Sequence, residues 1–196
     1  MFGCSIVLTF KHLNNRILKQ IKMLSEKILN ALNNQIKLEG YASFLYLSMA
    51  SWCDREALAG CSAFMRRQSE EEREHMLKLF DYISDRDGHA LTPAVAQVPH
   101  EFDSVQDMFK MVYAHEQKVS ASINDIVTLC TEENDHTTQL FLQWYVGEQQ
   151  EEEALMRSIL DIIKLIGSGS QSLYYIDMEI DKINAAELKA EAAGKE

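Results

Sequence analysis

The sequence predicts an all-α fold, a bundle of four long helices followed by a short fifth. Three observations carry this. Only 8 glycines and 2 prolines occur in 196 residues, too little turn chemistry for a many-stranded sheet, while Leu, Ala, Glu, Lys, Gln and Met are abundant. Apolar residues recur at steps of three and four over four stretches of about 30 residues each. Both prolines, Pro93 and Pro99, fall in one central segment. A chain of this length can bury a sizeable core as one domain.

Residues 1–22 carry Lys11, Arg16, Lys19 and Lys22 with no acid, and read as a basic, weakly ordered N-terminal extension. The domain proper spans residues 23–184. Ser25 is a good N-cap and Glu26 an acid in the first turn, so the first helix starts there and runs to about Cys53. The second runs from about Ala57 to Arg86, the third from Ser104 to Cys130 and the fourth from His136 to Ile166. Breaks at Asp54 to Glu56 and Thr131 to Asp135 are short, which makes each flanking pair an antiparallel hairpin.

Residues 87–103 are different. A 30-residue helix is about 45 Å long, and 17 extended residues reach about 56 Å, so this segment can cross the whole bundle and start the third helix parallel to the second. Two hairpins joined by one long crossover is the ferritin-like bundle topology. After Gly167-Ser-Gly-Ser-Gln171, an amphipathic stretch from Leu173 to Ile183 forms the fifth helix, and residues 185–196 read as a frayed tail.

The chain holds 19 basic and 30 acidic residues, net −11, and all but 4 of the bases lie beyond residue 22 against all of the acids. So acidic a domain argues against a nucleic-acid partner. Cys4, Cys53, Cys61 and Cys130 form no C-x-x-C pair, which argues against a zinc ribbon, a rubredoxin-type iron site or a disulfide scaffold and fits reduced thiols in the cytoplasm. The best apolar run, Ile6 to Phe10, is far too short for a membrane span.

Functional information lies in the apolar stripes, because acid interrupts every one. The first is Ile28, Leu32, Gln35, Glu39, Ala42, Tyr46, Met49, Cys53, and the second is Cys61, Met65, Gln68, Glu72, His75, Leu79, Tyr82. The third is Met108, Val112, Glu116, Val119, Ile123, Ile126, Cys130. The fourth is Phe141, Tyr145, Glu148, Glu152, Leu155, Ile159, Ile162, flanked by Gln149 and Glu151. Glu71 sits beside Glu72.

Glu39, Glu72, Glu116 and Glu148 each lie about halfway along their helices, so they meet near the middle of any aligned bundle. The stripes offer no Lys or Arg at that level. Each uncompensated buried charge costs several kcal/mol even after relaxation. A pair of divalent or trivalent metal ions would supply the missing charge, and carboxylates with one imidazole suit iron or manganese.

With these acids in place, the sequence resembles the bacterial non-haem ferritins over about Met23 to Ile183. The resemblance rests on Gln-Ile-Lys-Leu-Glu39-Gly-Tyr-Ala-Ser-Phe-Leu-Tyr46, Glu71-Glu72-Arg-Glu-His75-Met76, Tyr-Ala-His115-Glu116-Gln117, Phe-Leu-Gln-Trp144-Tyr-Val-Gly-Glu148-Gln149-Gln-Glu151-Glu152-Glu153 and Leu173-Tyr-Tyr-Ile-Asp177. It implies an iron-storing ferroxidase with two Fe per subunit. One iron would use Glu39, Glu72 and His75; the other would use Glu72 as a bridge with Glu116 and Glu152, and Gln149 close by. An accessory third iron would use Glu71, Glu148, Glu151 and Glu152.

Tyr46 matches the tyrosine that the family places beside the di-iron centre, and a core tyrosine bonded to a carboxylate is the equal alternative. The resemblance further implies a homo-oligomeric shell of 24 subunits, Fe(II) as substrate, O2 or H2O2 as oxidant, and no haem.

Bacterioferritins and rubrerythrins repeat the Glu-x-x-His pair, whereas here the second copy reads Glu148-x-x-Glu151. A rubrerythrin-like peroxidase without mineral storage and a metal-free helical scaffold are the alternatives. His12, His89, His100, His115 and His136 have no constellation around them in the sequence and read as surface or capping residues.

Overall fold

A computed structural model describes residues 24–194. The basic extension, with Cys4 and His12, lies outside them. Five helices follow in order: α1 (Glu26–Arg55), α2 (Ala59–Asp85), α3 (Val105–Glu132), α4 (His136–Ile166) and α5 (Ser172–Gly194). No strand occurs among the described residues. α1 packs on α2, α3 on α4 and α1 on α3, while α5 lies chiefly against α2.

Side chains start the helices where the sequence offers them. Ser25, Ser104 and Asp135 accept from the amides of Ile28, Asp107 and Thr138, each three residues on. α2 has no such cap of its own. Its amides at Gly60 and Cys61 donate instead to Asp177 on α5, at 3.1 and 2.8 Å. Gly60 permits this, because a Cβ there would lie 2.3 Å from the Asp177 carbonyl oxygen.

The first three helices end alike, with Ala57, Asp87 and Asn134 in the left-handed region at φ 59, 56 and 57°. Each allows a paired closing bond, as in Leu58 N–H to Cys53 C=O at 2.9 Å and Ala57 N–H to Asp54 C=O at 3.3 Å. That closure is why α2 begins at Ala59 and not at the predicted Ala57.

The crossover runs the length of α1. Asn33, near the start of α1, bonds His89 C=O and the Leu91 amide, Ser48 bonds Pro99 C=O, and Arg55 at its end pairs with Glu101. α3 therefore starts beside the start of α2, as the segment's reach requires. α5 continues well past Ile183, because the alanine-rich stretch read as a frayed tail has high helix propensity. Buried Asn184, which accepts from Arg67 Nε at 2.9 Å, ties it to α2.

The apolar core is in two halves. On α1 the division falls between Ile36 and Ala42, on α2 between Met65 and Leu79, on α3 between Val112 and Val119, and on α4 between Tyr145 and Met156. Each gap contains the acids of the sequence pattern.

Candidate metal centre

Every residue of the predicted α1 stripe is buried, and Glu39 is fully so. Glu72 and His75 on α2, Glu116 on α3, and Gln149 and Glu152 on α4 are buried at the same level. Donor atoms of Glu39, Glu72 and His75 lie within 4.8 Å of one another. Those of Glu71, His75 and Glu148 form a second such group at the edge of the first. Glu151 is exposed and stands outside both.

The fourth stripe is turned from the one predicted. Leu142, Gln149, Met156 and Ile163 are buried where Phe141, Glu148, Leu155 and Ile162 were expected, so Glu148 lies at the half-exposed edge. Steps of three and four permit both sets. Gln149 settles the choice by donating to Glu116 Oε2 at 3.1 Å and to Glu116 C=O at 3.2 Å.

Neutral polar residues hold the acids. Ser122 Oγ donates to Gln35 Oε1 at 2.6 Å, and Gln35 Nε2 donates to Glu39 Oε1 at 2.8 Å. Gln68 Nε2 donates to Glu71 at 2.7 Å and to Glu152 Oε1 at 3.4 Å. Tyr145 Oη donates to the His75 carbonyl at 2.6 Å, fixing α4 against α2. The signal for Gln35 and Gln68 was present in the sequence, since each precedes a stripe acid by one helical turn.

What these bonds leave over is decisive. Glu39 Oε2, Glu72 Oε2, His75 Nδ1 and Glu152 Oε2 are buried and have no hydrogen-bond partner among the described residues. Burial pushes the Glu39 carboxyl up to about 7, against the bonds from Glu72 and Gln35. Burial, then the charges of Glu116 and Glu39, hold Glu72 well above the usual range. Burial, with Glu71 and Glu116 nearby, does the same to Glu152, and burial raises Glu116. Burial lowers His75 to about 4, helped by Lys78, so its imidazole is neutral at pH 7. Its Nδ1 stands 3.8 Å from Glu72 Oε2, too far for a hydrogen bond and consistent with a neutral ring.

Two cations reach the edge of the cluster, which the stripes had not indicated. Arg67 donates to Glu71 at 2.9 Å, and Lys78 Nζ lies 3.1 Å from the Trp144 ring centroid, with that ring edge-on to His75. Neither pairs with Glu39 or Glu72. His115, expected at the surface, is buried between α1 and α3, edge-on to Tyr46, with Nε2 unpartnered among the described residues. A lone histidine on a helix gives no sequence signal for this. His89, His100 and His136 are exposed as expected. Among the described residues, no helix is long and apolar enough to cross a membrane.

Comparison with known proteins agrees with this architecture. Residues 29–166 match the Ferritin model, a ferritin-like domain. The chain is 45% identical over 161 residues to the bacterial non-heme ferritin of Campylobacter jejuni, covering 82% of this chain and 96% of that protein. It is 38% identical over 162 residues to the bacterial non-heme ferritin of Escherichia coli O157:H7, covering 83% and 98%. Among solved structures, an open pore ferritin from the archaeon Archaeoglobus fulgidus superposes with a TM-score of 0.78 at 44% identity, covering 81% of this chain and 98% of that one. With its two hairpins, long crossover, terminal helix and central ring of acids, the chain belongs to the ferritin family.

Proposed function

We propose that this protein stores iron, oxidising Fe(II) to Fe(III) at a pair of sites inside each subunit and releasing Fe(III) to a mineral within an oligomeric shell. The observation that carries this reading is the set of buried polar atoms on Glu39, Glu72, Glu152 and His75 that have no hydrogen-bond partner among the described residues. Unpaired buried acceptors are costly, and a cation is what they can bind in common.

In this reading Glu39, Glu72 and His75 hold one Fe(II). Glu72 also reaches the second, with Glu116 and Glu152, and Gln149 orients Glu116. Neutral His75 needs no proton removed before it binds, whereas the acids give up theirs as iron enters. Two Fe(II) held side by side each give one electron to O2 or H2O2, the template role of a two-metal site. With O2 the balance is two Fe(II), one O2 and two protons giving two Fe(III) and one H2O2. Glu71 and Glu148 mark an accessory third position towards which Glu151 can swing. Tyr46, beside Glu116, completes the catalytic set.

A shell of 24 subunits at 22.4 kDa each has a mass of about 540 kDa. The experiment is size-exclusion chromatography combined with metal analysis after anaerobic Fe(II) loading. A shell-sized species with at least two Fe per subunit is expected. A small oligomer that binds and oxidises iron without retaining a mineral would favour the peroxidase, and absence of iron binding would leave a helical scaffold.

A further inference from the structure

A short hydrogen-bond chain reaches the acidic centre from α3. Ser122, half-buried on that helix, donates from Oγ to Gln35 Oε1 at 2.6 Å, and Gln35 Nε2 donates to Glu39 Oε1 at 2.8 Å. Gln35 and Glu39 are fully buried and lie one turn apart on α1, whereas Ser122 stands 87 positions from Gln35 in sequence. The other oxygen, Glu39 Oε2, has no hydrogen-bond partner among the described residues.

We infer that Ser122 is a positioning residue for the first iron position, holding Glu39 through Gln35 so that Oε1 is engaged by the protein and Oε2 is left for the metal. This rests on the iron reading of the centre.

The direction of the chain is set at its inner end. A carboxylate that is to bind a cation can only accept, so Gln35 must turn its N–H to Glu39 and its carbonyl oxygen away. A buried carbonyl oxygen needs a donor, and the Ser122 hydroxyl supplies it. Without that hydroxyl Gln35 is drawn off towards other donors, and Glu39 is free to turn and bring either oxygen to the ion. Because the chain crosses from α3 to α1, Glu39 is fixed against a second helix and not by its own alone. Glu116, at the other position, is held separately by Tyr46 and Gln149. A change at Ser122 therefore bears on one iron and not on both.

The test is anaerobic calorimetric titration of the assembled, iron-free protein with Fe(II), followed by stopped-flow oxidation over a range of Fe(II) concentrations. Ser122→Ala removes only a half-buried hydroxyl and places the best helix former on α3, so the fold is kept. It should weaken one of two bound Fe(II) by about 10-fold and leave the other unchanged, since outer-sphere partners of metal ligands are worth about 10- to 100-fold. Oxidation should show the same split, with KM for Fe(II) raised by about 10-fold and kcat kept, because Ser122 touches neither iron. Gln35→Met, which keeps the bulk and loses the amide, should act alike. The double variant should lose no more than the weaker-binding single one, because both changes break one chain. Ser122→Thr keeps the hydroxyl and should restore binding, which a purely structural role for Ser122 would not predict. Full affinity for both irons in Ser122→Ala, a Ser122→Thr as weak as Ser122→Ala, or losses that add in the double variant would each overturn the inference. With two irons still bound by the wild type, those results leave the iron reading standing, whereas a wild type that binds none overturns that reading and this inference with it.

Discussion

Tyr46 on α1 donates its hydroxyl to a carboxylate oxygen of Glu116 on α3, joining two residues 70 positions apart at the centre of the bundle. Gln149 occupies the other oxygen of Glu116. Glu116 is thus satisfied by protein side chains, whereas Glu39, Glu72 and Glu152 each keep an oxygen with no partner among the described residues. In the proposed reading, iron held by Glu116 would compete with the Tyr46 hydroxyl for this carboxylate.

Tyr46→Phe should destabilise the metal-free protein by about 1 to 3 kcal/mol, the cost of leaving a buried acceptor short of one partner. It should also slow the first Fe(II) oxidation several-fold while two irons still bind. Thermal melts and stopped-flow absorbance check the two parts separately. A stability loss with an unchanged rate would make Tyr46 a structural side chain alone.

Stability of the apo-protein should rise on mild acidification. Glu39, Glu72, Glu116 and Glu152 titrate higher when folded than when unfolded, Glu39 at about 7. Raised carboxyls bind their protons more tightly in the fold, so the stability they give is full below about 4.5 and is lost as pH rises towards 7 and above. His75 and His115, lowered to about 4 by burial, act oppositely: their share is present above about 6.5 and is lost as pH falls. From pH 8 down to about 6.5 the acids dominate, so the apo melting temperature should climb. Added Zn(II), which displaces those protons, should stabilise more at pH 8 than at pH 6. Calorimetry at both pH values, with and without metal, tests this, and a metal response that shrinks as pH rises would contradict it.

Gly60→Ala should detach α5. Its Cβ would meet the Asp177 carbonyl at 2.3 Å, so the two helices must separate and α2 loses the carboxylate that caps it. Overpacking of this kind costs about 1 to 3 kcal/mol. Proteolysis within α5 should accelerate while the four-helix core keeps its far-ultraviolet spectrum. A variant as protease-resistant as the wild type would show that the contact yields without cost.

Glu151→Ala should leave the first two oxidations per subunit intact, because exposed Glu151 belongs to neither close donor group. Later turnover, when iron accumulates beyond those two, should change in rate or in oxygen consumed per iron. Progress curves identical to wild type would remove Glu151 from the accessory position.

Much of this was legible in the residues. The stripes of α1 and α3 are buried as read, because Glu39 and Glu116 each lie among apolar neighbours in one consistent helical phase. The crossover followed from Pro93, Pro99 and the reach of the segment. The α4 stripe was ambiguous because Glu148 and Gln149 lie side by side, and only the partner helix, through Glu116, selects between them. His115 was missed because its burial depends on Tyr41 and Tyr46 from another helix. The capping of α2 by Asp177 joins residues 117 and 116 positions apart, which no local pattern encodes.

The central claim is that the acids between the two halves of the core form one metal-binding unit built around Glu72. Stopped-flow oxidation of Fe(II) by assembled Glu72→Ala, at two irons per subunit, tests it most directly. The account predicts an intact shell and an initial rate reduced by at least about 100-fold, since loss of the shared ligand leaves neither position complete and even outer-sphere partners are worth about 10- to 100-fold. An intact shell that oxidises Fe(II) at the wild-type rate would contradict it.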